Sequence, residues 1–394
     1  MSMNTFYGVT PPKTSPYRVK NNRPLGIETK SHVMLTPQGF QRVHDYLLQD
    51  QSRILLPKER VRKCRRFRID KHKPRTVMYN ENRCKAHYGN VQICGSIWQC
   101  PVCAKQVTEK RRCELKIALD KWKSSFEGSV YLLTLTFSHS KDQPLKFLLE
   151  GLKKAMKRFY ETTRVQAIFK KLSVSHKIKG LEVTYGQNGW HPHHHVLLLA
   201  DHHDFYFRNY AEELTELWIK ACVKSGLNAP SMQHGLDLRN GFYAEQYVSK
   251  WGLEDEITKG HVKKGRTGSY SPFDLLNLSI SDQIIYDRTA SSLWQEFAIA
   301  MKGARQLVWS RGLKSLLEIE EKSDEELAEE TDKASITLSP VEDLVFHLLS
   351  VYQQRHQYLE AISRDYENGC FGNGEADLLV NNLVELEIKN MRMQ

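Results

Sequence analysis

The sequence has no run of apolar residues long enough to cross a membrane, since a spanning helix needs about 18 or more in succession. It has no secretory leader either. Residues 1–30 are polar, carry Pro11, Pro12, Pro16 and Pro24, and lack an apolar stretch. The expectation is a cytosolic chain without a membrane partner. Disulfides are also excluded as a scaffold, because 394 residues hold only 8 cysteines. There is no internal repeat. Hydrophobic residues at 40% and charged residues at 26% rule out global disorder. The length predicts two or three domains.

Acidic residues are scarce in the first three quarters of the chain. Residues 1–313 hold 50 Lys/Arg against 28 Asp/Glu, whereas residues 314–394 hold 7 against 18. A body this basic points to a polyanion, most often nucleic acid. Arg53 to Arg75 alone holds 11 Lys/Arg against Glu59 and Asp70. Arg62, Lys63, Arg65, Arg66 and Arg68 are therefore candidate phosphate contacts, as are Arg111 and Arg112 beside the cysteines.

Patterning predicts the elements. Val107 to Trp122 is helical and ends before Gly128; Tyr131 to Phe137 is a buried strand. Leu145 to Tyr160 is an amphipathic basic helix. Leu181 to Tyr185 and His191 to Leu199 read as a hairpin around Gly186-Gln187-Asn188-Gly189. Helices are expected over Tyr206–Lys224, Gly241–Trp251, Ala290–Leu317 and Val341–Tyr358, and a short strand at Asp237-Leu238.

The densest chemical signal is Trp190-His191-Pro192-His193-His194-His195. Alternation along a strand puts His191, His193 and His195 on one face. Two imidazoles at that spacing can grip a divalent cation, and Glu182 on the partner strand is the best third donor. Two nitrogens, one carboxylate and open positions suit Mg²⁺ or Mn²⁺ in phosphoryl transfer. A hydrolytic zinc site and a set of structural histidines are the other readings.

In Gly241-Phe242-Tyr243-Ala244-Glu245-Gln246-Tyr247-Val248-Ser249-Lys250-Trp251, Tyr243 and Tyr247 share a helix face and Lys250 lies one turn beyond. A tyrosine can attack a phosphodiester whose charge is offset. Lys250 beside Tyr247, where Tyr243 has only Gln246, makes Tyr247 the expected nucleophile. Tyr243 is either a second nucleophile or a packing aromatic. Cys100-Pro101-Val102-Cys103 forms a knuckle fit for Zn²⁺, with Cys94 and Cys84 completing a four-thiolate set and His87 as a substitute for Cys84.

The order of these motifs resembles the HUH endonucleases, specifically the rolling-circle replication initiators of bacterial plasmids. The strand Tyr131–Phe137, the histidine strand His191–His195 and the tyrosine helix Tyr243–Lys250 match that class in sequence order. Cys94–Cys103 and Gly303-Ala-Arg-Gln-Leu-Val-Trp-Ser-Arg-Gly312 are similar to segments of one bacterial subgroup. The resemblance covers roughly residues 84–313. It implies His193 and His195 as the metal pair, Glu182 as third ligand and Tyr247 as nucleophile. It implies a nick in plasmid origin DNA, single-stranded or extruded, with a 5′-phosphotyrosine and a free 3′-hydroxyl for a host polymerase; a host helicase is a further partner. A bulky apolar residue normally separates the metal histidines, where this chain has His194. A glutamate one turn before the tyrosine is replaced by Tyr243, and Glu245 is not one turn away. The alternatives are a transposase or relaxase of the same class, or a DNA-binding regulator without catalysis.

The expected fold is α+β, a central antiparallel sheet flanked by helices, with a zinc-binding segment and a helical, acidic C-terminal tail. The expected divisions are a basic, partly loose N-terminal region (1–80), a cysteine module and basic helix (81–125), a nicking-joining domain (126–313) and the acidic helical region (314–394).

Overall fold

A computed structural model describes residues 37–202, 207–241, 244, 247, 268–330 and 334–393. Its frame is two antiparallel sheets. Strands β1 (Arg75–Asn80) and β2 (Lys85–Gly89) belong to a three-stranded sheet. The larger sheet contains β3 (Ser129–Leu135), β4 (Val174–Gly186), β5 (Gly189–Ala200), β6 (Leu236–Arg239) and, after the small hairpin of β7 (Ile284–Ile285) and β8 (Arg288–Thr289), β9 (Leu307–Trp309). Strand β10 (Ser335–Val341) returns to the first sheet. The orders are β6-β3-β5-β4-β9 and β10-β1-β2.

The larger sheet is apolar on both faces, so helices cover both. Tyr131, Leu133, Leu135, Val196, Leu198 and Ala200 face one core with helices α3 (Leu145–Glu161), α4 (Thr163–Lys171) and α5 (Ala211–Val223). Val130, Leu132, Ile178, Leu197 and Leu199 face the other, against Leu115, Ala118, Leu119 and Trp122 of the second half of α2 (Pro101–Ser125). Helix α1 (Pro37–Leu55), a stretch for which the sequence pattern predicted no element, packs Tyr46 and Leu48 into the first core.

The β4–β5 hairpin closes through Gln187 and Asn188, as its turn residues predict. Gly189 sits at φ +89°, and a Cβ there would lie 2.9 Å from the Lys141 Cα. Both conformation and crowding therefore require glycine.

Two expectations are corrected. The long helix over Ala290–Leu317 breaks: a helix spans Ala290–Ala300, then Gly303 (φ +78°) and Gly312 (φ +79°) bracket β9 on the edge of the sheet. The acidic C-terminal region is not purely helical. After helices at Leu313–Leu316 and Asp324–Glu330 it contains β10, whose residues pair with every residue of β1, and its helices over Arg355–Glu367 and Glu375–Arg392 bury Leu359, Ile362, Leu379 and Leu383 against Val77, Tyr79 and Tyr88. Arg355 is buried there, donating to the Arg65 carbonyl at 3.1 Å and to Asp50 Oδ1 at 2.7 Å. No helix of the described residues is long and apolar enough to cross a membrane.

Candidate active site

The hairpin register builds the first cluster. Glu182 on β4 lies directly opposite His193 on β5, and Gly180 lies opposite His195. One carboxylate thus reaches both rings. Glu182 Oε2 is 3.3 Å from His193 Nε2 and 3.4 Å from His195 Nε2. The other ring nitrogens are occupied: His195 Nδ1 meets Thr134 Oγ1 at 3.0 Å, and His193 Nδ1 lies 3.3 Å from the His191 carbonyl. Fixing one nitrogen of an imidazole orients the other, the arrangement metal-binding histidines commonly have. The donor atoms of Glu182, His193 and His195 all lie within 4.8 Å of one another, so the three could hold a metal ion.

The site is open on its acidic side. The Glu182 side chain keeps 39% of its exposure, against 12% and 18% for the two imidazoles. A further ligand to a bound ion can therefore approach. Burial works to raise the Glu182 carboxyl, but hydrogen bonds and charge from His193 and His195 outweigh it and hold the group well below the usual carboxylate range. It is ionised at neutral pH.

His191 shares the face, its ring stacked 4.9 Å from that of His193, but it stands outside the three-residue group. Its Nδ1 bonds His139 Nε2 at 2.9 Å, and His139 Nδ1 donates to the Asn188 carbonyl at 2.8 Å. Burial, with the neighbouring imidazoles, pushes His191 down to about 3, leaving it neutral. Thr134 and His139 were missed by sequence reasoning. The signal for Thr134 was a polar residue amid the apolar strand Tyr131–Leu135. His194 donates to the Gly180 carbonyl at 3.0 Å, consistent with its place on the alternate face of the strand.

Tyr247 reaches this cluster: its ring centroid is 4.6 Å from that of His195. It packs in the same core as Leu307 and Trp309. Tyr243, Glu245 and Lys250 lie outside the described residues.

The second cluster is Cys64, Cys94, Cys100 and Cys103, all buried, with sulfurs within 4.8 Å of one another. Sulfur separations are 3.5 Å (Cys64–Cys103), 3.7 Å (Cys94–Cys103) and 3.9 Å (Cys100–Cys64). Four thiolates at about 2.3 Å around a tetrahedral zinc ion lie about 3.8 Å apart, so the spacing fits. Gln49 Nε2 donates to Cys100 Sγ at 3.0 Å and the Ser96 amide to Cys94 Sγ at 3.4 Å. Hydrogen bonds from Cys100 and the other thiols pull Cys64 well below the usual thiol range and push Cys94 and Cys103 well above it.

Cys84 is not in this group. It is exposed, at φ 50° after a short 3-10 turn, with its sulfur against the Glu81 carbonyl, and Cys64 takes its place. His87 is buried elsewhere, bonded to Ser335 Oγ at 2.8 Å. The cysteine group therefore draws on both sides of residue 80.

The basic candidates divide. Arg62, Lys63 and Arg66 are exposed. Arg65 is buried and donates to Gln106 Oε1, so it cannot meet a phosphate. Arg111 is paired with Glu114 and Asp324, Arg112 with Glu109 and Arg68 with Asp343. Arg68 and Arg111 thus tie separate segments of the fold together, whereas Arg112 is paired within α2.

The described residues thus combine an antiparallel α+β frame, a Glu-His-His cluster beside a tyrosine and a separate buried thiol cluster. Residues 86–357 match the family model described as Replication protein, and the chain belongs to that family. A curated relative, "Protein rep" of Streptomyces lividans, is 25% identical over 291 residues, covering 57% of this chain and 63% of the relative. The chain thus spans less than two thirds of that relative's length. No solved structure matches.

Proposed function

We propose that the chain is a plasmid replication initiator of the HUH endonuclease type, nicking and rejoining one strand of origin DNA through Tyr247. The observation that carries this reading is the Tyr247 ring 4.6 Å from His195, whose imidazole converges with His193 on Glu182. Membership of the replication-protein family supports it.

Mg²⁺ or Mn²⁺ held by Glu182, His193 and His195 supplies, when bound, positive charge that polarises and aligns a phosphate. The chain's residues do the rest. Thr134 fixes the His195 ring, and the exposed side of Glu182 leaves room for the scissile phosphate. The Tyr247 oxygen bonds phosphorus, the phosphorus–O3′ bond breaks, and the proton lost by the phenol balances the one gained by the 3′-oxygen. The products are a 5′-phosphotyrosine and a 3′-hydroxyl. The reverse step, attack by a 3′-hydroxyl, rejoins a strand. Zn²⁺ in the Cys64, Cys94, Cys100 and Cys103 set has a structural role. Exposed Arg62, Lys63 and Arg66 contribute to binding the duplex through phosphates.

The test is incubation with supercoiled DNA carrying the cognate origin and Mg²⁺. Nicked circles with covalently attached protein are expected, and Tyr247→Phe should bind the origin yet form no adduct. Peptide mapping that finds the phosphate on another residue, or an adduct formed by the Phe variant, overturns the assignment.

A further inference from the structure

The segment Gly303–Gly312 has no part in the chemistry above, yet it shapes a cleft of about 960 Å³ along the sheet edge. The floor is β9, joined to β4 through Ile178–Trp309, Lys179–Val308 and Gly180–Leu307. Ser310 clips the strand down: its hydroxyl accepts from the Lys177 amide at 2.8 Å and donates to the Lys177 carbonyl at 3.0 Å.

Leu307 and Trp309, which line the cleft, lie on the sheet face that carries the Glu-His-His cluster. Leu307 and Trp309 pack in the core that includes Ile178, Leu197 and Tyr247. In register, His195 is followed across the sheet by Gly180 and then Leu307. The intervening residue has no side chain to block the way. Two strand spacings separate His195 from β9, about 10 Å, the length of about three stacked nucleotides.

The lining is basic on balance, with five Lys/Arg against Glu321 and Asp324. Trp309 is half-buried, with its indole N–H turned inward away from solvent, and its ring lies 5.1 Å from the Lys314 ammonium. Lys314 is itself neutralised by Glu114 at 3.0 Å, and Lys322 by Glu320 at 2.9 Å. Arg305 and Arg311 differ. They bracket the strand, are exposed, and make no ion pair among the described residues. An aromatic platform between two available guanidinium groups is how proteins hold single strands: stacking for a base, charge for its phosphates.

We propose that this cleft binds single-stranded DNA next to the scissile phosphate, with a base on Trp309 and phosphates on Arg305 and Arg311. The inference rests on the nicking reading. It predicts that the edge segment, and not the catalytic cluster, sets affinity for the unpaired strand.

The probe is a fluorescein-labelled oligothymidylate of about 20 nucleotides, titrated into the full chain at several salt concentrations. The double variant Arg305→Gln/Arg311→Gln should bind about tenfold more weakly and lower the magnitude of the log–log salt slope by about 1.4, two contacts at about 0.7 each. Trp309→Leu should weaken binding about tenfold with the slope unchanged. A labelled duplex should bind all three proteins alike, and near-ultraviolet circular dichroism should show each folded. Unchanged oligothymidylate affinity in both folded variants overturns the cleft while wild-type nicking leaves the initiator reading standing. Equal losses on duplex and single strand also overturn it, because the surface is then a general polyanion patch. A wild-type chain that neither binds the oligonucleotide nor nicks removes both.

Discussion

The two candidate metal clusters are built on opposite plans. Glu182, His193 and His195 come from a single hairpin, remain partly exposed and leave room for further ligands. Cys64, Cys94, Cys100 and Cys103 come from separate stretches of chain, are closed from solvent and offer four sulfurs to one ion. A closed four-thiolate shell suits an ion that organises the fold, and an open three-ligand shell suits one that meets a substrate. The difference teaches that replacing a ligand should do different things in the two places.

The largest effect is expected at the closed cluster. Cys103→Ser should lose the tightly held ion and, with it, much of the folded state, since structural zinc binding is worth roughly 10–16 kcal/mol in small zinc modules. Elemental analysis and thermal unfolding measure this, with Cys84→Ser as the control that changes neither. A Cys84→Ser variant that loses metal would return Cys84 to the set. At the open cluster, His193→Ala should leave the melting temperature within a few degrees but cut nicking by about 1,000-fold, the equivalent of about 4 kcal/mol of lost stabilisation. Equal damage to folding at both clusters would erase the contrast.

Chelation sharpens it further. A brief treatment with a chelator should stop nicking reversibly, with Mg²⁺ or Mn²⁺ restoring it, while the ion in the cysteine cluster stays bound. Loss of both metals together counts against two separate roles. The smallest effect is expected from Thr134→Val, which removes the hydroxyl fixing His195. The metal concentration for half-maximal nicking should rise about 10- to 100-fold, with little change in the rate at saturation. An unaltered metal requirement would mean that packing alone orients the ring.

The open cluster was legible in the sequence because its geometry is local. A period of two along β5 and a turn at Gln187-Asn188 suffice to bring Glu182 opposite His193. The closed cluster was legible only in part. Cys94, Cys100 and Cys103 are close in sequence, but Cys64 reaches them through α1 and the loops after it, which no spacing rule encodes. Cys84 was the nearer cysteine and the wrong one. Strand β9 was hidden for another reason: its three residues sit in a stretch whose apolar spacing also fits a helix, and only the two left-handed glycines decide against that. The pairing of β1 with β10 left no local trace at all.

That pairing has a consequence in time. Strand β1 leaves the ribosome about 250 residues before β10 does, which at about 5–20 residues per second is a wait of roughly 10–50 s. Until then β1 has only β2 beside it, and Val77, Tyr79 and Tyr88 lack the helices that cover them. Arg355 is likewise missing from its bonds to Arg65 and Asp50, beside the cysteine cluster. The N-terminal part of the chain thus becomes complete only after residues 335–355 have been made. A translation product interrupted before residue 335 would carry an unfinished sheet and a cysteine cluster without its Arg355 brace, an arrangement that ties assembly of the two regions to one late segment.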